Sequence, residues 1–205
     1  MLKKSLIGSF IATTVVVLMA ATVCGDKASL AQLSLLDLEG RSINPLADSG
    51  AKAAVFIFTR ADCPISNRYA PEVRRLSASF APERVKFWLV YPDGDTQASA
   101  IRQHLEEYDY NCDALRDPRH ELVRAAGASV TPETAVYVFN RSGARMVYRG
   151  RIDDRYAAFG KRRPAPTMRD LEDVLTAVVK GETVKFKTAP AVGCYISDLN
   201  RYRER

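Results

Sequence analysis

The segment Ala53-Ala54-Val55-Phe56-Ile57-Phe58-Thr59-Arg60-Ala61-Asp62-Cys63-Pro64 decides how this chain is read. Its first seven residues carry no charge, are rich in β-branched and aromatic side chains and do not alternate with polar ones. A short run of that kind fits a central strand buried on both faces. The run breaks at Arg60-Ala61-Asp62, and Pro64 suits the first position of a helix, where the missing N–H has no intrahelical partner to lose. A helix is expected from Pro64 to Phe80. Cys63 then lies where a buried strand gives way to a helix N-terminus, whose free N–H groups and dipole favour an anion. A thiol there is expected to have a lowered pKa and more of the nucleophilic thiolate. Arg60 and Arg68 add to that expectation and Asp62 opposes it. Position alone equally fits a small buried cysteine with no chemistry.

Downstream, residues 85–90 read as a second buried strand, closed by Pro92-Asp93-Gly94-Asp95, and residues 96–108 as a polar amphipathic helix. An irregular stretch holding Cys112 precedes a helix over 120–126. Val130-Thr131-Pro132-Glu133 leads into a strand at 134–139, and a turn at 141–144 returns the chain along 145–151. A basic loop at 161–166 precedes a last helix over 167–180, stopped by Gly181. Upstream, residues 33–45 read as a short hairpin turning at Glu39-Gly40. Early β–α alternation implies parallel crossovers and the late hairpin adds antiparallel strands. The expected fold is α/β, a mixed central sheet with helices on both faces.

Lys3 and Lys4 precede an apolar run over residues 6–23 and then small residues, the pattern of a secretory leader. Residues 1–31 are expected to be a signal peptide cut after Ser29-Leu30-Ala31, or an anchor crossing the membrane through residues 6–23. Cys24 offers lipidation as a third outcome, with a bulky Val23 where lipidation sites have a small residue. Residues 32–181 form the expected domain and 182–205 a tail. The protein is expected to be exported to the periplasm or another extracytoplasmic space. The formal charge of +6 includes the leader, and acidic residues are interspersed among the Lys and Arg. No basic block interleaved with aromatics is present, which argues against nucleic-acid binding. If Cys24 leaves with the leader, Cys63, Cys112 and Cys194 remain, an odd set in a disulfide-permissive compartment.

The strand–Cys-Pro-x-x–helix arrangement resembles the active-site turn of thioredoxin-like redoxins, the superfamily of thioredoxins, exported thiol–disulfide oxidoreductases and peroxiredoxins. Pro71, eight residues after Cys63, matches the proline that kinks the corresponding helix. Thr131-Pro132 opens a strand where the family carries a cis-proline beside the active-site thiol. The resemblance spans residues 33–180 and implies a thioredoxin-like three-layer α/β/α sandwich. Asp62-Cys63-Pro64-Ile65-Ser66-Asn67 is also similar to a redoxin subgroup among exported bacterial proteins. Four departures stand out. Ser66 occupies the place of a second active-site cysteine, so no Cys-x-x-Cys disulfide can form. Ile57 replaces the buried acid of thioredoxins. Thr59 lies four residues before Cys63, where peroxiredoxins have Thr three before, and Pro132 stands near where they carry an arginine.

The resemblance implies an enzyme in which Cys63 attacks a disulfide, with Pro64, Ser66, Thr131 and Pro132 beside the bound substrate. Its partners would be a protein disulfide or thiol, or a hydroperoxide, and an external reductant. No cofactor is implied. A resolving thiol has a candidate in Cys194: the thirteen residues from Gly181 reach at most about 43–47 Å, against a domain radius of gyration of about 15–16 Å. Gly193 before it suits a close backbone approach. Cys112 is expected to be structural. A hydroperoxide reductase with Cys63 peroxidatic is the alternative, as is a non-catalytic copper-binding or scaffold protein of the same fold. No metal site is expected, since His104 and His120 lack ligand spacing and the Cys-x-x-x-Cys of exported copper chaperones is absent. His104 is expected to be exposed, and Asp153-Asp154 to be a solvated strand end.

Overall fold

The computed structural model describes residue 30, residues 32–47 and residues 50–197. The leader, anchor and lipidation site expected over residues 1–31 lie outside the described residues, apart from Leu30. No helix among the described residues is long and apolar enough to cross a membrane.

The chain begins with the hairpin β1 (Leu35–Leu36) and β2 (Ser42–Ile43). β3 (Ala53–Phe58) follows, then α1 (Pro64–Phe80), β4 (Val85–Tyr91), α2 (Ala98–Glu107), β5 (Asp113–Arg116) and α3 (Glu121–Ala126). The second half holds β6 (Val130–Thr131), β7 (Glu133–Asn140), β8 (Gly143–Gly150), the small hairpin β9 (Tyr156–Ala158) and β10 (Lys161–Arg162), and α4 (Asp170–Val179). The tail adds β11 (Lys187–Ala189) and β12 (Cys194–Tyr195). One mixed eight-stranded sheet runs in the order β11-β8-β7-β3-β4-β5-β1-β2. β3, β4 and β5 are mutually parallel, while β7 pairs antiparallel with both β3 and β8.

The uncharged run at β3 has a simple physical reason. All six of its residues are buried, and they divide by parity between two cores. Ala53, Val55 and Ile57 meet α1 and α4 through Val73, Leu76, Leu171 and Leu175. Ala54, Phe56 and Phe58 meet α3 through Leu122, Val123 and Ala126. With both faces covered, no position tolerates a charge. The three-layer α/β/α arrangement follows.

Several local expectations are corrected. The stretch after Cys112 is not irregular: Asp113–Arg116 is a parallel strand beside β4, too short and too charged at its ends to show a period. The basic loop contains β10, which pairs with β9. Asp153 and Asp154 are buried rather than solvated. Asp154 accepts hydrogen bonds from the Thr167 and Met168 N–H groups at 2.6 and 2.9 Å. The Thr167 hydroxyl leads these donors in holding the carboxyl down to about 2. That clamp keeps residues 167–169 out of the last helix, which starts at Asp170.

Candidate active site

β3 ends at Phe58, and Thr59 keeps the next rung through its N–H to Val90 O at 2.9 Å. Cys63 is the N-cap of α1, in extended backbone conformation, and its carbonyl accepts from Asn67 N at 3.0 Å. Neither a side-chain cap nor an acidic residue occupies the first turn of α1. The positive end of a 17-residue helix is therefore left facing Cys63.

The tail returns over this turn. β12 pairs antiparallel with β6, Cys194 opposite Thr131 and Tyr195 opposite Val130. Ile196 N donates to Ser129 O at 3.0 Å and extends the pairing. Cys194 Sγ lies 2.9 Å from Cys63 Sγ, and Thr131 O lies 3.1 Å from Cys63 Sγ on another side. The Thr131-Pro132 peptide is cis, as the resemblance to the redoxins implies. The structure thus brings Cys63, Cys194, Ser66 and Thr131 around one point, with Pro64 starting the helix and Pro132 at the cis bond.

Burial pushes the Cys63 thiol up, yet the Cys194 thiol, the Ser66 hydroxyl and N–H, and the Thr131 side chain outweigh it. The group is held below the ordinary thiol value. The Ser66 hydroxyl is buried beside the thiol with no formed hydrogen-bond partner, and its polarity favours the charged sulfur. Cys194 responds in the opposite sense. Burial, then its hydrogen bond to Cys63 and the repulsion of the Cys63 charge, push it up to about 11. Between these two titrations the pair carries one negative charge. Cys63 is then the thiolate and accepts from the Cys194 S–H. When both are neutral, the Cys63 S–H has Thr131 O or Cys194 Sγ as its acceptor.

Arg60 contributes less than expected. Arg60 is engaged by Asp62 and by Asp93, both at 2.9 Å, so its charge is largely answered. Arg149, the arginine near Pro132, pairs with Glu133 and donates to Gly127 O. The Thr59 hydroxyl is buried with no hydrogen-bond partner. Cys112 lies partly buried against the core, and burial, reinforced by Asp113, pushes it up to about 12.

His104, expected to be exposed, is 3% exposed. Its Nδ1 pairs with the Tyr91 hydroxyl at 2.7 Å and its Nε2 with Asn67 Oδ1 at 2.9 Å. Asn67 Nδ2 donates to Ala61 O at 2.8 Å and to the Tyr108 hydroxyl at 3.1 Å. This chain braces the turn before Cys63 from inside. The polar helix hid it, because Ile101 and His104 are the only residues of α2 that are buried. His120 has its Nε2 3.0 Å from Pro92 O. No group of three or more His, Cys, Asp or Glu side chains is set to hold a metal among the described residues.

The model of the AhpC/TSA family matches residues 24–144. Among solved structures, the chain is similar to an uncharacterised conserved protein from Geobacillus kaustophilus: TM-score 0.66, 24% identity, covering 80% of this chain and 87% of that one. A hypothetical protein from Sinorhizobium meliloti 1021 gives TM-score 0.66 at 22% identity, over 80% of this chain and 89% of that one. The thioredoxin domain of a thiol-disulfide oxidoreductase from Bacteroides vulgatus gives 0.52 at 16% identity, over 72% and 92%. At these identities the likeness speaks to the fold, which is thioredoxin-like. No curated protein matches the sequence.

Proposed function

From the premise that this chain belongs to the AhpC/TSA family, we propose that it is an exported thiol–disulfide oxidoreductase with Cys63 as nucleophile and Cys194 as resolving thiol. The observation that carries the reading is the pair itself: two sulfurs 2.9 Å apart, from residues 131 positions apart in the chain, with unequal proton affinities. The Cys63 thiolate attacks one sulfur of a partner disulfide. That S–S bond breaks, the partner's other sulfur leaves as thiolate, and a mixed disulfide forms on Cys63. Cys194 then loses its proton and attacks the Cys63 sulfur. The partner's thiolate leaves and a Cys63–Cys194 disulfide forms. An external dithiol returns this disulfide to two thiols and is itself oxidised.

Ser66 supports this division of labour. As a hydroxyl it cannot join a disulfide, but its polar group beside the sulfur favours the thiolate before attack. Export rests on Lys3, Lys4 and the apolar run over 6–23. N-terminal sequencing of protein from its native host is expected to begin near residue 32.

The family match favours a second reading, reduction of a hydroperoxide. The Cys63 thiolate would take the distal oxygen, the O–O bond would break with release of alcohol, and Cys194 would condense with the sulfenic acid, releasing water. The unpartnered Thr59 hydroxyl and the engagement of Arg60 and Arg149 by carboxylates favour the disulfide reading. The deciding experiment is non-reducing peptide mapping of protein treated separately with oxidised glutathione and with hydroperoxide. A Cys63–Cys194 bond that forms readily with the disulfide and slowly with the peroxide is expected. Protein that forms no such bond with either oxidant refutes both readings.

A further inference from the structure

The seat of Cys194 is also the seat a partner must use. β12 lies as an extended strand along β6, with Cys194 opposite Thr131, and Cys63 beneath it is 1% exposed. No macromolecular disulfide reaches Cys63 while this strand is seated. Each residue of the strand meets a different restriction. Gly193 rides over the cis peptide, where a Cβ would lie 2.1 Å from Thr131 O and 2.5 Å from Thr131 C. Its backbone is not left-handed, so the demand for glycine is one of space alone. Tyr195 is 81% exposed and meets no selecting wall. Ile196 is 4% exposed and packs into the second core with Leu33, Leu46 and Phe58.

Resting on the reading of Cys63 as nucleophile, we propose that the β6 edge is the docking strip for an extended partner segment of the form Gly-Cys-x-aliphatic. Gly193-Cys194-Tyr195-Ile196 is an internal copy that holds the strip until such a segment displaces it. The partner's backbone takes the antiparallel rungs now made by β12. Its glycine passes over the Thr131–Pro132 peptide, its disulfide sulfur meets Cys63, and its aliphatic residue fills the place of Ile196. Once the mixed disulfide has formed, the returning tail brings Cys194 to the Cys63 sulfur. One strip thus serves attack and resolution in turn.

The test uses the full chain with Cys24→Ser, Cys112→Ser and Cys194→Ser, which keeps the strand and leaves Cys63 as the one thiol. The probes are Ala-Gly-Cys-Tyr-Ile peptides with the cysteine activated as a 2-thiopyridyl disulfide. In two sister peptides Val replaces Gly or Asp replaces Ile, and 2-thiopyridyl cysteamine serves as a probe without a peptide backbone. Release of thiopyridone reports transfer to Cys63. The Gly/Ile peptide is expected to react at least tenfold faster than either sister. Adding Ile196→Ala, which loosens the seated strand, is expected to speed the Gly/Ile peptide severalfold. Equal rates for the three peptides overturn the sequence preference, and no acceleration with Ile196→Ala overturns the displacement. Failure of Cys63 to react even with the cysteamine probe, in variant and parent chain alike, instead refutes Cys63 as nucleophile.

Discussion

Replacing Gly193 with alanine tests the central contact of the site with one methyl group. The added carbon would lie 2.1 Å from Thr131 O, 2.5 Å from Thr131 C and 3.1 Å from Pro132 N. Both close atoms are backbone, in a segment that runs straight into β7 within the central sheet, so the tail must yield. An ordinary carbon–oxygen contact is about 3.2 Å or more, so the strand withdraws by about 1 Å. A misplacement of that size between reacting groups costs on the order of 100-fold. A second route gives a similar figure. If the strand leaves altogether, Ile196 loses burial worth about 1.5–3 kcal/mol, a factor of about 10 to 150 in the population of the closed form. The effective concentration of Cys194 toward Cys63 is therefore expected to fall about 100-fold. It is measured in a Cys112→Ser background by equilibrating the protein in glutathione redox buffers, alkylating free thiols and weighing the products. A Gly193→Ala protein that closes the disulfide as readily as its parent refutes both the seating of β12 and the reasoning from the 2.1 Å approach.

Alkylation of Cys63 should level off below the ordinary thiol range, whereas Cys194 should accelerate only toward pH 11, and Cys63→Ser should abolish the fast phase. Ser66→Ala, which removes a polar group beside the thiolate, should slow Cys63 alkylation at neutral pH by raising its pKa. His104→Leu leaves the Tyr91 hydroxyl and Asn67 Oδ1 without their partner; at about 1–3 kcal/mol per buried group, urea unfolding should show a loss of roughly 2–6 kcal/mol. Burial raises Asp117 from 3.8 to about 6, against hydrogen bonds from the N–H groups at the start of α3. Its protonated form is favoured in the fold, so the stability it supplies is full below pH 4 and is lost as pH rises through 6. That loss is on the order of 3 kcal/mol, and Asp117→Asn should remove this part of the pH dependence.

What the sequence determined by itself was local or metric. The uncharged run at residues 53–59 required a strand covered on both sides, because a charge on either face would be buried without a partner. Pro64 required the helix to start beside Cys63, and the length of the tail allowed Cys194 to reach back. Ser66 ruled out a local disulfide on chemistry alone. Tertiary structure decided where the tail lands. β12 has two residues, and its partner strand lies 63 positions earlier at Thr131. Such pairing leaves no period in the sequence, since its hydrogen bonds come from a distant edge. His104 reads as one more polar residue of α2 until Tyr91 and Asn67 are seen to take both of its nitrogens. Asp153 and Asp154 read as a solvated pair until the Tyr69 hydroxyl and the 167–168 backbone donors are placed against them. Sequence pattern reports which faces of an element are covered. The groups that do the covering are set by packing between distant segments, and there the thiol pair was assembled.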